Sequence, residues 1–118
     1  YYLQNISAGN LGEGDVAIGI SYSGNSRNTV EVMRTAKKSG ANTDVITNFE
    51  DAPISKYADV LICTSTEQFL YGDAIFSRSS QLAIIDMLYM GVLLSDYDKY
   101  TKKLDKNGRT ISNQMYEI

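Results

Sequence analysis

The chain has 118 residues, 43% of them hydrophobic and 21% charged, which fits one ordinary globular domain able to bury roughly two-thirds of its unfolded surface. A net charge of -3 and a pI near 4.8 exclude a chain that holds nucleic acid or an anionic membrane by bulk charge, so an anionic ligand has to be gripped locally. No histidine is present, which removes the commonest general acid/base and the commonest metal ligand, and the single cysteine, Cys63, excludes an internal disulfide.

Residues 1–10 read as a short helix ending near Gly9 or Asn10, followed by a Gly-rich loop, Leu11 to Asp15. The first residues, Tyr1-Tyr2-Leu3-Gln4-Asn5, carry neither the basic nor the apolar part of a secretory leader. The longest apolar run, Leu82 to Leu94, is interrupted by Asp86 and too short for a bilayer. A cytoplasmic protein with no membrane partner is therefore expected.

Val16-Ala17-Ile18-Gly19-Ile20 reads as a buried strand and runs into Ser21-Tyr22-Ser23-Gly24-Asn25-Ser26. A helix over about 28–39 comes next, with Val30, Met33 and Ala36 on one face and Gly40 as its stop. Ser26 or Asn28 is its predicted N-cap, with Glu31 completing a capping box on Asn28. The second strand is predicted over 43–47, giving one βαβ unit. Pro53, the only proline, suits the first turn of a short helix through Tyr57.

Val60 to Thr64 is an apolar run, as expected of a parallel strand covered on both faces, with Cys63 a reduced core residue inside it. Ser65 to Gln68 make the loop after it. From Asp73 to Leu94 apolar residues occupy nearly the whole circumference of a helix, which predicts burial from more than one side, either by the sheet and a second subunit or as a central helix inside one domain. Residues 96–118 read as a polar helical tail in which Lys99, Lys102, Lys103, Lys106 and Arg109 are largely offset by Asp96, Asp98, Asp105 and Glu117, hence a solvated surface. Strands alternating with helices define an α/β fold, a three-layer αβα sandwich around a parallel sheet.

A strand, a hydroxyl-rich turn and a helix in that order make a natural phosphate cradle. The helix N-terminus offers unpaired N–H groups and a partial positive charge, the serines add donors, and Gly24 lets the backbone come close. The same six residues also suit a plain turn and cap. In an open parallel sheet ligands bind beyond the carboxyl ends of the strands, which places Ser21 to Ser26, Asn48 to Asp51 and Ser65 to Gln68 on one rim. Glu67 there is a carboxylate for the hydroxyls of a phosphorylated polyol or for proton transfer, or a solvated loop residue. Ser77-Arg78 points to a guanidinium near an anion, or to a surface salt bridge. A Ser-His-Asp triad, a P-loop, a GxGxxG turn and a metal cluster are all lacking in the sequence, and no cofactor is expected.

Taken together, Asp15-Val16-Ala17-Ile18-Gly19-Ile20 with the SYSGNS turn, Gly40-Ala41 leading to Ile46-Thr47-Asn48, Tyr57-Ala58-Asp59-Val60, and Ser77-Arg78 to Gln81-Leu82-Ala83 resemble the phosphosugar-binding SIS (sugar isomerase) domain, and within it the effector domain of RpiR-type transcriptional regulators. The resemblance covers roughly residues 3–94. It implies a flavodoxin-like αβα fold in which Ser21, Ser23 and Ser26, with backbone groups of Tyr22, Gly24 and Asn25, cradle the phosphate of a sugar phosphate. Glu67 falls near the glutamate that faces the sugar in the isomerases. Those enzymes also draw on a histidine or comparable groups, and a chain without histidine is expected to bind without turnover; an aldose-ketose isomerase is the alternative.

The resemblance further implies a partial SIS domain over 1–95, lacking the family's N-terminal strands, followed by a helical tail over 96–118. The open edge of the 16–20 strand then predicts a homo-oligomer or a rearranged amino terminus. DNA would be reached only through a separate helix-turn-helix domain.

Overall fold

The computed structural model describes residues 1–64 and 73–114. In chain order they form α1 (Tyr2–Gly9), β1 (Val16–Ile20), α2 (Arg27–Lys38), β2 (Asn42–Thr47), a 3-10 helix (Pro53–Tyr57), β3 (Val60–Cys63), α3 (Asp73–Ser95) and α4 (Tyr97–Ser112). Contacts divide the chain into two compact units, Tyr1–Gln81 and Leu82–Ile118.

In the first unit the three strands are parallel and ordered β1-β2-β3, with Ile20 level with Ile46 and Ile46 level with Ile62. No reversal of strand order occurs among the described strands. As the central strand, β2 is the most enclosed: Thr43, Val45, Ile46 and Thr47 are fully buried. One face of the sheet carries the core, where Met33 of α2 and Val45 meet Ala52 and Ile54, flanked by Ala17, Val30, Tyr57, Ala58 and Leu61. Burying a side chain the size of Ile54 or Val45 contributes about 2 kcal/mol. A Cβ on Gly19 would stand 2.7 Å from Met33 Sδ, so the glycine in β1 lets α2 lie close on the strand.

The predicted helix of 28–39 is α2, and its face is the expected one, with Met33 and Ala36 buried. Its start differs from expectation. Ser26 is the N-cap residue but its hydroxyl makes no cap hydrogen bond, and Glu31 pairs with Arg34 at 3.3 Å. Asn28 already lies inside the helix, so Glu31 sits in the second turn, out of reach of the cap and one turn from Arg34. The C-terminal stop comes at Ser39, with Gly40 following at φ 96°.

Two other expectations are not met, and in both no described residue of the first unit covers the side chains concerned. Cys63 is exposed rather than buried, because it is the last residue of edge strand β3, beyond the core that Leu61 reaches. On β1 the side chains turned away from α2, Val16, Ile18 and Ile20, are 54%, 50% and 44% exposed. The outer edge of β1 pairs with no described strand, the arrangement the family resemblance implied. Beside it, Leu3, Ser7 and Leu11 with Ile18, Ile20 and Met33 line a groove of about 500 Å³.

At the amino ends of the strands, Asp59 ties three elements together. It accepts from the Thr43 N–H at 2.9 Å and from Lys37 Nζ of α2 at 3.0 Å, while its own N–H donates to the Thr43 carbonyl at 2.7 Å. The Thr43 N–H and the Lys37 ammonium hold its carboxyl below the usual carboxylate range.

The second unit contains the end of α3 and all of α4. Asp96 caps α4 by accepting from the Lys99 N–H at 3.3 Å. Lys99 and Lys103 lie over the Tyr100 ring at 5.3 and 5.8 Å, each within cation–π range. No residue of α4 is buried, as expected of a solvated tail. The expectation for α3 is not met within this single chain: Leu82, Met87, Val92 and Leu94 are each more than half exposed. A unit of two helices covers only one stripe of each, so an all-round apolar helix keeps most of its surface bare. Among the described residues no helix is long and apolar enough to cross a membrane.

Candidate phosphosugar site

The SYSGNS turn connects the carboxyl end of β1 to the amino end of α2. Its first bond continues the sheet, since the Ser21 N–H donates to the Ile46 carbonyl at 3.0 Å. The chain then leaves the sheet and folds on itself. Gly24 N–H donates to Ser21 Oγ and Asn25 N–H donates to Ser23 Oγ, both at 3.2 Å. Each hydroxyl is used there as an acceptor and keeps its own O–H, which at half-buried Ser23 is open to a ligand.

Gly24 is the point at which tertiary structure dictates residue type. Its φ is 64°, and a Cβ there would sit 2.3 Å from Ala52 Cβ and 3.0 Å from both Ile54 Cγ2 and Thr47 Oγ1. Positive φ and the absence of room each call for glycine. The Gly24 carbonyl accepts from the Ile54 N–H at 3.1 Å, so the loop rests on the 3-10 helix.

Burial sorts the residues expected in the site. Ser21 and Gly24 are buried, Tyr22 and Ser23 half-buried, Asn25 and Ser26 exposed. Ser21 thus shapes the loop from within, and Ser23 and Ser26 lie on its accessible side. Val30 is the first residue of α2 whose N–H is paired, to the Ser26 carbonyl at 2.9 Å. Among the described residues no group accepts from the N–H of Ser26, Arg27 or Asn28, so the first turn of α2 offers bare donors beside the serines. Glu67 lies outside the described residues. Arg78, on α3, is exposed and makes no ion pair among them.

Thr47, Asn48 and Phe49 also meet the turn; the sequence placed the last two on the ligand rim but singled out none of the three as a site residue. The carbonyl of Tyr22 accepts twice, from the Asn48 N–H at 3.0 Å and from Thr47 Oγ1 at 3.1 Å. The ring of Phe49 meets that of Tyr22 edge-on, with centroids 5.9 Å apart. Asn48 is 5% exposed, and its Oδ1 accepts from Thr64 Oγ1 at 3.3 Å, which links the carboxyl ends of β2 and β3. The signal was the polar pair Thr47-Asn48 at the end of an otherwise buried strand, a place where polar side chains need partners.

The geometry can hold a small dianion: hydroxyl donors, a helix N-terminus and a rigid glycine turn at the carboxyl rim of a parallel sheet. No cluster of metal-ligating side chains occurs among the described residues. The fold and this turn define a class of α/β domain, and comparison with known proteins agrees. The SIS domain model matches residues 3–91, and the chain belongs to the SIS domain family.

Among its relatives is an uncharacterized helix-turn-helix (HTH-type) transcriptional regulator of Caldanaerobacter subterraneus subsp. tengcongensis, 38% identical over 112 residues, which are 94% of this chain and 40% of that protein. The HTH-type transcriptional regulator RpiR of Escherichia coli K12 is 30% identical over 111 residues, 93% of this chain and 38% of RpiR. The chain therefore spans about two-fifths of the length of the regulators it matches. In fold it is similar to the Vibrio vulnificus NanR protein, solved in complex with ManNAc-6P, with a TM-score of 0.85 at 22% identity over 98% of this chain and 44% of that one.

Proposed function

We propose that this chain is the phosphosugar-sensing effector part of an RpiR-type transcriptional regulator, binding a sugar phosphate through Ser23, Ser26 and the backbone of Tyr22, Gly24 and Asn25, with Ser21 shaping the cradle from within, and without converting it. The observation that carries the reading is the SYSGNS turn, whose accessible hydroxyls stand beside the bare first-turn N–H groups of α2. Sequence relatives that are helix-turn-helix regulators support the regulatory role. The sugar-phosphate complex of a protein of like fold supports the ligand class. A chain without histidine lacks the usual proton-transfer group, which favours binding over catalysis.

In this reading Glu67 supplies a carboxylate to the sugar hydroxyls. The open edge of β1 and the bare flank of α3 suit a homo-oligomer, whose equilibrium the ligand shifts and separate DNA-binding domains read out. Calorimetry with pentose 5-phosphates, hexose 6-phosphates and ManNAc-6P, alongside the unphosphorylated sugars and a product assay, tests the proposal. Phosphate-dependent binding without product is expected. Turnover would replace the reading with an aldose-ketose isomerase, and binding of nothing in the panel would overturn it.

A further inference from the structure

Thr47 is fully buried, and its hydroxyl faces the phosphate turn rather than solvent. It donates to the Tyr22 carbonyl at 3.1 Å, and the adjacent Asn48 N–H donates to the same oxygen at 3.0 Å. The Thr47 oxygen also lies 3.0 Å from where a Gly24 Cβ would be, so it packs against the tightest point of the turn. Two further anchors come from the same side of the loop, Ser21 N–H to the Ile46 carbonyl and Ile54 N–H to the Gly24 carbonyl. Four bonds to β2 and to the segment that follows it therefore hold a turn of six residues, and only one of the four comes from a side chain.

We infer that Thr47 is a positioning residue for ligand binding: its buried hydroxyl clamps the Tyr22 carbonyl and so fixes the Ser23 and Ser26 hydroxyls in their binding arrangement before any ligand arrives. This rests on the phosphosugar reading above and adds to it a residue outside the turn. A cradle of hydroxyls and N–H groups binds an anion well only when its donors already converge, because ordering a loose loop subtracts from affinity. The side chain is required for this and not merely tolerated. Valine has nearly the same shape but cannot donate, and would take the Thr47 bond away from that carbonyl.

The same strand supplies a control. Thr43, also fully buried, donates its hydroxyl to the Tyr57 carbonyl at the opposite end of β2, away from the turn. The test compares Thr47→Val, Thr47→Ser and Thr43→Val with the unaltered chain. Two readouts are taken: affinity for ManNAc-6P and fructose 6-phosphate, and amide hydrogen exchange at Gly24 to Ser26 in the absence of ligand. Thr47→Val is expected to weaken affinity about tenfold and speed exchange in the turn severalfold, Thr47→Ser to restore both, and Thr43→Val to change neither while lowering the unfolding midpoint.

Unchanged affinity in Thr47→Val, or an equal loss in Thr43→Val, overturns the inference. If the unaltered chain binds neither sugar phosphate, the functional reading fails for those ligands. Exchange then decides the clamp by itself, since an unchanged rate at Gly24 to Ser26 in Thr47→Val overturns it and a faster rate upholds it.

Discussion

Thr43 and Thr47 stand at opposite ends of β2, both fully buried and each donating its hydroxyl to the carbonyl of a neighbouring connection, Tyr57 in one case and Tyr22 in the other. Around Thr43 the polar groups satisfy one another. Asp59, Lys37 and the Thr43 backbone close a set of bonds that ties α2, β2 and the entrance to β3, and little is left over. Around Thr47 the bonding is lopsided. The Tyr22 and Gly24 carbonyls are taken up by Thr47, Asn48 and Ile54, while hydroxyls of Ser23 and Ser26 and N–H groups of the first turn of α2 are left to donate outward. The amino rim of the sheet satisfies its own polar groups, and the carboxyl rim keeps donors turned outward. One strand serves both because a buried hydroxyl fixes whatever carbonyl is brought to it.

The contrast can be broken most severely at Gly24. Gly24→Ala puts a Cβ 2.3 Å from Ala52 and forces φ 64° on a residue that resists it. A loss of about 3 kcal/mol in denaturant unfolding, with no sugar-phosphate binding, is expected. Less damage to the fold and equal damage to the site should follow from Ser23→Ala with Ser26→Ala. Neither hydroxyl supports the core, and Ser26 makes no cap bond, so stability should change by less than about 1 kcal/mol while calorimetric binding disappears. Full affinity in that double variant would remove the serines from the site.

The smallest effect belongs to the other rim. The folded state holds the Asp59 carboxyl below its ordinary range, so the carboxylate adds stability above the unfolded pKa and loses it as pH falls through the lowered folded value. Asp59→Asn should be less stable than the parent at neutral pH, and the two should converge on acidification. Because the group is solvent-exposed the difference is small, and sugar-phosphate affinity at neutral pH should not change. A change in affinity with Asp59→Asn would mean that the two rims are coupled.

The regular elements were legible because their signals are local. Val16–Ile20 is an unbroken apolar run, Met33 and Ala36 fall at helical spacing, and Pro53 opens its short helix as a first-turn proline should. The SYSGNS turn was legible for the same reason, since strand, hydroxyls, glycine and helix follow one another directly along the chain. The failures are equally instructive. Cys63 sits in an apolar run, yet whether a strand residue is buried depends on what lies over it, and β3 is an edge. The capping box on Asn28 matched in composition and missed by position, because α2 begins at Arg27.

By itself, the sequence determined the order of elements, the helix face that meets the sheet and the place of the serine-rich turn between β1 and α2, all of which follow from periodicity and from the backbone preferences of neighbouring residues. Only the tertiary structure decided which hydroxyls point out and which are held in. Ser21 turns inward to Gly24, and Thr47, twenty-five residues beyond Tyr22, becomes part of the turn's frame. The physical reason is that a hydrogen bond between distant residues leaves no periodic trace. It exists because parallel pairing brings the ends of β1 and β2 side by side, where a buried donor and a buried carbonyl must satisfy each other.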